Sequence, residues 1–392
     1  MTIRLSELRC DWSGAPQHPS EVVYRVDLGE RHYDVFIRSC DLVRQPGMEA
    51  VVPMALLAAM SLRRPLHVEG RLSATFLNGV RQVMALFAQP FEPFEVVDIT
   101  ADELYQAEVA MPGERRGAFF SGGVDSFYTL FKGREELTDL IYIHGFDVRL
   151  DDWPRRQAIA SMGEAVASSM GMRFVQVESN LAKVLEDFGS WPLHGHGFAL
   201  MSVARALAGA FGEIRVPGTH SLKGQKPWGS WLDTDPLFSD ERLSVVHDAC
   251  EAERVDKIIA LADQPLALRH LRVCWGRVEG TYNCCRCEKC LRTMTTLHAL
   301  GKLQEAEAFP LALTPALVAN VLLPRDGLRC YAQENIVLLQ QHRPEERELI
   351  AALEKQWRRP IWLSLRLIKW RKRLQRWRNQ ATRLRAWLRG AR

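Results

Sequence analysis

The sequence contains no run of 18 or more apolar residues, so it predicts no membrane-spanning helix. The first residues also lack the apolar core of a signal peptide, which favours a cytoplasmic location. Disulfide bonds are not expected, because the nine cysteines are odd in number and four of them cluster between Cys284 and Cys290. With 392 residues, 47% hydrophobic and 25% charged, the chain has the composition of a globular protein of two or three domains.

Acidic residues are missing from the C-terminal tail. From Lys355 to the end the chain has 14 Lys and Arg residues and no Asp or Glu, whereas the rest has 37 basic and 47 acidic residues. An acidic body therefore carries a basic tail, which indicates an anionic partner for the tail.

The tail is predicted to form one long helix with an apolar seam. Apolar residues recur at alternating spacings of four and three: Leu363, Leu367, Trp370, Leu374, Trp377, Ala381, Leu384 and Leu388. Because no acidic residue offsets the positive charges, the helix needs a surface to lie on. Three kinds of surface remain open: RNA or DNA, an anionic membrane, and an acidic protein surface, including the protein's own body or a second copy in a homodimer.

Four segments are predicted along the chain: 1–112, 115–300, 301–354 and 360–390. The first reads as a small α+β domain without a catalytic motif, with a strand hairpin, two helices, a short strand LHVEG between them and a last strand over 94–100. The third is a helical extension, and the fourth is the basic amphipathic helix.

Strands and helices alternate in the second segment. Short, continuously apolar strands such as LIYIHGF are followed by helical patterns, one of which covers 197–212. This alternation predicts an α/β fold, with a parallel sheet covered by helices on both faces. Right-handed crossovers place the strand-to-helix loops at one edge of the sheet, where ligands of such sheets bind.

The segment AFFSGGVDSFYTLF, which begins at residue 118, places a small polar turn between a predicted strand and a predicted helix. Gly122 and Gly123 let backbone N–H groups converge on an anion, and the helix N-terminus adds a partial positive charge. The hydroxyl groups of Ser121 and Ser126 can donate to phosphate oxygens, and Asp125 is expected beside Mg²⁺ or as the helix cap. The turn is neither a Walker loop nor a three-glycine dinucleotide fingerprint.

SGGVDS matches the signature SGGxDS of the PP-loop ATP pyrophosphatases at every defined position, and the chain resembles that superfamily. The resemblance implies an adenine nucleotide alpha hydrolase-like fold and a loop, Val124 included, that holds the pyrophosphate part of ATP. Asp125 and Ser126 would act in catalysis as AMP is transferred to the substrate. The resemblance also places the end of the second strand beside the adenine. The residues assigned there are His144, Gly145 and Phe146.

A cysteine cluster follows, with the spacing C-x9-C-x2-C-x2-C. Its members are Cys274, Cys284, Cys287 and Cys290. Four thiolates fit a tetrahedral Zn²⁺ ion with no position left for water, which is typical of a structural site. An iron–sulfur cluster would also accept four thiolates. Cys285 lies in the same turn and is a spare thiol.

The order of the two motifs, about 150 residues apart, resembles the 7-cyano-7-deazaguanine synthases over about residues 115–300. That family adenylates the carboxylate of 7-carboxy-7-deazaguanine and uses ammonia to form an amide and then a nitrile. This chain adds about 112 residues before and about 90 after the shared region. It also replaces the family's Arg-Asn before the fourth strand by LHGHG, residues 193–197. The resemblance therefore implies the ATP chemistry and the zinc site, but not the deazaguanine specificity.

The loop of residues 218–239 is predicted to lie at the same sheet edge as the phosphate turn. Its candidate residues are His220, Trp228, Trp231, Asp233 and Asp235 for substrate binding and Lys223 for catalysis. The tryptophans can stack on a planar or sugar-like group, and the lysine can stabilise departing pyrophosphate. A surface loop with an anchoring tryptophan is the alternative. His194 and His196 are expected either to contact the α-phosphate or to cap a helix.

These patterns predict an ATP-dependent ligase or amidotransferase-like enzyme. It would use ATP and Mg²⁺ to adenylate a carboxylate or carbonyl oxygen of a small substrate, and a nucleophile such as ammonia would displace AMP. Two alternatives remain: an enzyme that modifies tRNA bases, and a non-catalytic module that senses nucleotides or binds a partner, for example in a defence system.

Overall fold

The computed structural model describes residues 1–13, 18–42, 46–106, 113–274, 276 and 282–390, with the backbone alone at 378, 379 and 381–390. None of the helices in these ranges combines the length and the hydropathy needed to cross a bilayer. The chain divides into two compact units, Met1–Glu253 and Arg254–Arg392.

Within the described residues, the first unit contains ten strands and six α-helices. The strands are β1 (Ile3–Asp11), β2 (Ser20–Asp27), β3 (His32–Ser39), β4 (Leu66–Ser73), β5 (Ile99–Tyr105), β6 (Arg115–Phe119), β7 (Asp139–His144), β8 (Arg173–Ser179), β9 (Phe211–Pro217) and β10 (Ser244–Asp248). The helices are α1 (Val52–Leu62), α2 (Ala74–Ala88), α3 (Val124–Lys132), α4 (Trp153–Ser169), α5 (Leu181–Leu185) and α6 (His196–Ala206). Shorter turns are the 3₁₀ segments Met48–Ala50 and Asp235–Phe238 and the π-helical segment Trp191–Gly195.

One mostly parallel sheet contains all ten described strands, in the order β10-β9-β6-β7-β8-β3-β2-β1-β4-β5. The block from β10 to β8 is parallel, the pairs from β8 to β1 are antiparallel, and β1, β4 and β5 are parallel again. All six residues of β7 are buried, as expected for a strand covered on both faces. The α/β class and the parallel arrangement of β6 to β9 are therefore confirmed.

The strand order reverses between β6 and β9. From β6 the chain adds β7 and β8 on one side, and it then returns to place β9 and β10 on the other side. At such a point the loops after the two neighbouring strands diverge and leave a crevice beyond their carboxyl ends, where open parallel sheets bind ligands. The SGGVDS turn follows β6 directly.

The N-terminal strands do not form a separate sheet, unlike the small domain predicted over 1–112. β3 pairs with β8 through Ile37 opposite Ser179, and the Ser39 hydroxyl donates to the Gln176 carbonyl at 2.8 Å. A single cluster of buried apolar side chains includes Ile3 of β1 and Val175 of β8. Hydrogen bonding and the shared core therefore join the first 112 residues to the parallel block.

Other differences from the sequence prediction lie at element ends. The helix predicted over 197–212 ends at Ala206, because Phe211 begins β9 by pairing with Arg115 of β6. The strand predicted over 94–100 is observed a few residues later, as β5, which begins at Ile99, where this residue pairs with Leu66 of β4. The last strand of the parallel block, β10, had no sequence prediction.

The second unit is helical in its described residues. Its helices are α7 (Arg254–Leu261), α8 (Pro265–His270), α9 (Glu288–Ala299), α10 (Pro315–Asn320), α11 (Asp326–His342), α12 (Arg347–Arg358) and α13 (Ile361–Gly390), with a 3₁₀ turn at Leu303–Glu305. The helix predicted over 360–390 is therefore confirmed as α13, although the side chains of Ala381, Leu384 and Leu388 lie outside the described residues.

Candidate functional site

The turn after β6 combines a left-handed glycine with the start of a helix, and within it the Gly123 N–H donates to the Ser121 hydroxyl oxygen at 3.4 Å. Gly122 has a φ of +74°, a left-handed conformation that glycine adopts without strain. Gly123 is the N-cap of α3, so Asp125 lies in the first helical turn and is not the cap. The Ser126 hydroxyl donates to the Gly123 carbonyl at 3.0 Å. The N-terminus of α3 therefore lies at the turn, and the Ser126 hydroxyl and the Asp125 carboxylate belong to its first turn.

A cavity of about 230 Å³ lies at the point where the strand order reverses. Four of the six motif residues line it: Ser121, Gly123, Asp125 and Ser126. The other lining residues come from the end of β6 and the residue after it, from β7 and the loop after it, from α6, and from the end of β9 and the loop beyond it: Phe119, Phe120, Ile141, Tyr142, Ile143, Phe146, Asp147, His196, Leu200, Val216, Pro217, Thr219 and Ser230. The polar turn and an apolar wall therefore face the same space.

A row of ring contacts runs from the cavity wall into the loop 218–239. Phe146 packs against Trp191 with ring centroids 5.1 Å apart, and Trp191 lies 6.3 Å from His196. His196 is in turn 6.5 Å from Trp228, which lies 5.7 Å from His220. The predicted residues Phe146, His196, His220 and Trp228 are thus brought together, and Phe146 and His196 line the cavity. Trp191 was missed by the sequence prediction, although it stands just before the LHGHG segment.

Two glycines set the position of His196 against this loop. A Cβ atom on Gly197 would lie 1.7 Å from the carbonyl oxygen of Gly229, so the start of α6 and the loop approach at backbone distance. The Nδ1 atom of His196 lies 3.2 Å from the Trp191 carbonyl. Burial lowers the pKa of His196, which keeps its imidazole neutral at neutral pH.

His194 does not lie at the cavity. Its ring packs against Phe91 and Phe94, both with centroids 4.9 Å away, and its Nδ1 accepts the Ser190 N–H at 3.1 Å. Burial lowers its pKa as well. His194 is therefore part of an aromatic cluster, and its ring accepts the N–H of Ser190, the N-cap of the segment Trp191–Gly195.

The three residues assigned to the adenine, at the end of β7, also differ in whether they reach the cavity. The Nε2 of His144 lies 3.0 Å from the Gln176 side-chain oxygen, and its ring packs edge-on against Tyr142, but His144 itself is not among the cavity-lining residues. Gly145 has a φ of +102°, and a Cβ there would lie 2.0 Å from the Ser179 carbonyl oxygen. Of the three residues assigned to the adenine, only Phe146 lines the cavity.

Asp235 is buried and holds the loop together rather than facing a substrate. One carboxylate oxygen accepts the Ser230 hydroxyl at 2.5 Å and lies 2.8 Å from Nδ1 of His247, while the other accepts the Trp231 N–H at 3.2 Å. Ser230 itself lines the cavity. The remaining candidates of the loop are not among the cavity-lining residues. Lys223 and Asp233 are exposed, and Trp231 is half-buried.

The pair of Asp235 and His247 predicts a pH-dependent stability. Burial lowers the pKa of His247, but the hydrogen bond to Asp235 and the nearby Cys250 outweigh it and raise the pKa to about 9. The stabilisation is therefore complete below about pH 6.5, the value of an unfolded histidine, and is lost as the pH rises toward 9. Asp235→Asn is expected to lower the free energy of unfolding by about 3 kcal/mol at pH 6, and by less above pH 9.

Urea unfolding at pH 6 and at a pH above 9 measures this effect. Asp233→Asn is the matched control, since it makes the same change at an exposed position two residues away. Equal unfolding free energies for the two variants at pH 6 would contradict the role given to Asp235.

The four predicted cysteines of the second unit come together. The sulfurs of Cys274, Cys284, Cys287 and Cys290 all lie within 4.8 Å of one another. The Cys284–Cys290 and Cys274–Cys287 pairs are 3.8 Å apart, and the Cys287–Cys290 pair is 3.5 Å apart. Sulfurs around a tetrahedral Zn²⁺ with bonds of about 2.3 Å lie about 3.8 Å apart. The cluster is therefore compatible with a metal such as zinc.

Local hydrogen bonds orient these thiols. The N–H of Gly276 donates to the Cys274 sulfur at 3.1 Å, and the N–H of Cys287 donates to the Cys284 sulfur at 3.3 Å. The hydrogen bond with Cys290 is the main cause that lowers the pKa of Cys287 to about 5. Cys287 is also the N-cap of α9, whose partial positive charge favours thiolates. These contacts favour the deprotonated form of Cys287, the form that a metal ligand needs, while burial raises the pKa of Cys274, and the hydrogen bond with Cys287 together with burial raises the pKa of Cys290.

A buried asparagine holds the segment that carries Cys274, the ligand most distant in sequence from the other three. The Asn283 side-chain oxygen accepts the N–H groups of Val273 at 2.9 Å and Cys274 at 3.2 Å, and its amide donates to the carbonyls of Leu271 at 2.7 Å and Ala308 at 2.9 Å. The sequence prediction missed this residue, because its partners are not adjacent along the chain.

Cys285 is not a member of the group. Its sulfur lies 3.7 Å from the Asn283 carbonyl, and its φ of +52° directs the chain through the turn.

Comparisons with models of protein families, with curated proteins and with solved structures gave no match.

Proposed function

We propose that this protein is an ATP-dependent, AMP-forming ligase of the PP-loop type that adenylates a carboxylate or carbonyl oxygen of a small acceptor. One observation supports this most. The SGGVDS turn and an apolar wall from the neighbouring strand line the same cavity, at the point where the strand order reverses. Phosphates and a planar base need these two kinds of surface side by side.

The roles of the residues follow from their chemistry. The left-handed Gly122 and the N-terminus of α3 favour the β- and γ-phosphates, and Ser121 supplies a hydroxyl group; that of Ser126 would turn from the Gly123 carbonyl to donate to a phosphate oxygen. Asp125 would hold Mg²⁺, which would neutralise charge on the phosphates. The apolar wall that includes Ile143 and Phe146 suits the adenine.

The proposed reaction has two steps. An acceptor oxygen attacks the α-phosphorus, the bond from that phosphorus to the bridging oxygen breaks, and pyrophosphate leaves with the bonding electron pair. A nucleophile such as ammonia then attacks the activated carbon and loses a proton, and AMP leaves. The neutral imidazole of His196 is among the groups lining the cavity, and it would accept this proton.

The cysteine cluster has a structural role in this proposal. Four thiolates would hold Zn²⁺ and leave no open position for a substrate, so the metal would stabilise the fold around α9 and take no part in the reaction. Lys223 has no assigned step, because it is exposed and is not among the residues lining the cavity.

The test follows α-labelled ATP with Mg²⁺ and a panel of small carboxylic acids, with and without ammonia. We expect AMP and pyrophosphate as products with at least one acid, and ATP binding by calorimetry without any acid. ADP and phosphate as products would contradict the AMP-forming reaction. Absence of ATP binding would contradict the site itself, and tight binding without turnover by any acid would favour a nucleotide-sensing module.

A further inference from the structure

The last helix leaves large apolar side chains uncovered. The exposed fractions are 64% for Trp362, 44% for Leu365, 58% for Trp370, 38% for Leu374 and 74% for Trp377. Every residue from Lys369 to Trp377 is exposed. Uncovered tryptophan and leucine side chains concentrated on one helix are typical of an interaction surface.

The first turns of α13 are anchored within the second unit. Ser364 is buried, and Leu363 and Leu367 are half-buried. Just before the helix, the Arg359 guanidinium donates to the carbonyls of Val321 at 2.7 Å and Ala319 at 2.6 Å. The helix is therefore held on one side at its start, and the part in which every side chain is exposed, Lys369 to Trp377, begins about two turns later.

Apolar and basic residues occupy different sides of this uncovered part. At 100° per residue, Trp370, Leu374 and Trp377 fall within roughly 60° of one another around the helix axis. These three residues are named here the tryptophan stripe. Lys369, Arg373 and Arg376 fall on one side of the stripe and Arg371 falls on the other. No acidic residue lies anywhere on the helix.

We propose that α13 docks on an anionic lipid surface, lying in the plane of the interface with the tryptophan stripe toward the acyl chains. Indole rings favour the boundary between headgroups and acyl chains, and the aliphatic side chain of Leu374 gains by leaving water. The three cations on one side of the stripe then lie level with the lipid phosphates, while Arg371 on the other side of the stripe donates to the Asn320 carbonyl at 3.3 Å. A spanning orientation is not proposed, since α13 is too polar for it.

Charge and shape favour a lipid surface over nucleic acid and over a second copy of the helix. Nucleic-acid phosphates would bind the cations, but they offer no apolar medium to an aliphatic side chain. A second copy of the same helix would bring the same ten basic residues against these ten, and like charges at close range repel. An anionic bilayer provides both an apolar layer and negative charge.

Flotation of the full-length protein with lipid vesicles tests the proposal. The probes are vesicles of phosphatidylcholine containing phosphatidylglycerol and vesicles of phosphatidylcholine alone, at low and high salt. We expect the protein to float with the anionic vesicles, with partitioning at least about tenfold weaker on the neutral ones and weaker at high salt.

Two variants separate the apolar contribution to vesicle binding from the electrostatic contribution. Trp370→Ser combined with Leu374→Ser and Trp377→Ser keeps all the cations and is expected to lower partitioning at least about tenfold. Lys369→Gln combined with Arg373→Gln and Arg376→Gln keeps the stripe and is expected to lower it at least about tenfold on anionic vesicles. All six side chains are exposed, so the helix content measured by circular dichroism should not change.

Ile259→Ser with Val337→Ser is the matched control, because it removes exposed apolar side chains from α7 and α11. We expect this control to float like the wild type. Partitioning that none of the variants alters would overturn the proposal. So would binding of single-stranded RNA or duplex DNA without vesicle binding, or a dimer in light scattering that the triple serine variant converts to a monomer.

Discussion

AMP formation is expected to fall by at least about a hundredfold when Asp125 is replaced by Asn. The substitution preserves the size of the side chain and removes its charge, which the proposal assigns to Mg²⁺. Asp125 lines the cavity from the first turn of α3, beside the residues assigned to the phosphates. Its loss should therefore weaken the Mg²⁺ dependence of the reaction more than it weakens ATP binding without metal.

The matched control for this prediction is Asp326→Asn. Asp326 also lies in the first turn of a helix, α11, but it is exposed and belongs to the second unit. We expect wild-type AMP formation in this variant. Gly122→Ala adds a second test at the site, because a Cβ at a φ of +74° strains the turn. If Asp125→Asn and Gly122→Ala both formed AMP like the control, the turn would not be the phosphate site.

Loss of the metal is expected to unfold the region around α9. Binding of a structural Zn²⁺ to four thiolates contributes about 10 kcal/mol or more in small zinc domains, and that free energy is available only to the folded state. Cys287→Ser removes the ligand whose sulfur contacts those of both Cys274 and Cys290. We therefore expect about one zinc per chain in the wild type, less than that in Cys287→Ser, and a loss of stability of about 5 kcal/mol or more.

Metal analysis and hydrogen exchange over residues 288–299 measure these effects. Cys330→Ser is the matched control, since Cys330 is an exposed thiol on α11 of the same unit. Cys285→Ser tests membership of the cluster, and we expect it to keep one zinc, because Cys285 lies outside the four-sulfur group. Full zinc content and unchanged exchange in Cys287→Ser would contradict the metal assignment.

Local patterns predicted much of the first unit and of both sites. The hairpin of β2 and β3, the strands β6 to β9 and the helix α13 were expected from periodicity, because each depends on neighbours in sequence. The cysteine group was also predicted, because two interlocked C-x-x-C turns bring three sulfurs to one point before any tertiary contact forms.

Pairs of similar residues close in sequence show what local patterns do not predict, namely which side chain is buried or reaches the cavity. His194 and His196 are two positions apart, yet the first packs among phenylalanine rings and the second lines the cavity. Asp233 and Asp235 are also two positions apart, and only the second is buried, with Ser230 and His247 as partners. The type of side chain was informative in each case, but its direction depended on elements distant in sequence.

The sequence by itself determined the SGGVDS turn between strand and helix, the four-sulfur group and the basic apolar helix, since each depends on residues close along the chain. Only the tertiary structure decided that the N-terminal strands extend the parallel sheet, because β3 meets β8 across about 140 residues. It likewise decided which side chains reach the cavity. Hydrogen bonds between strand edges and the packing of rings across elements depend on distances in space, and the order of residues does not specify these distances locally.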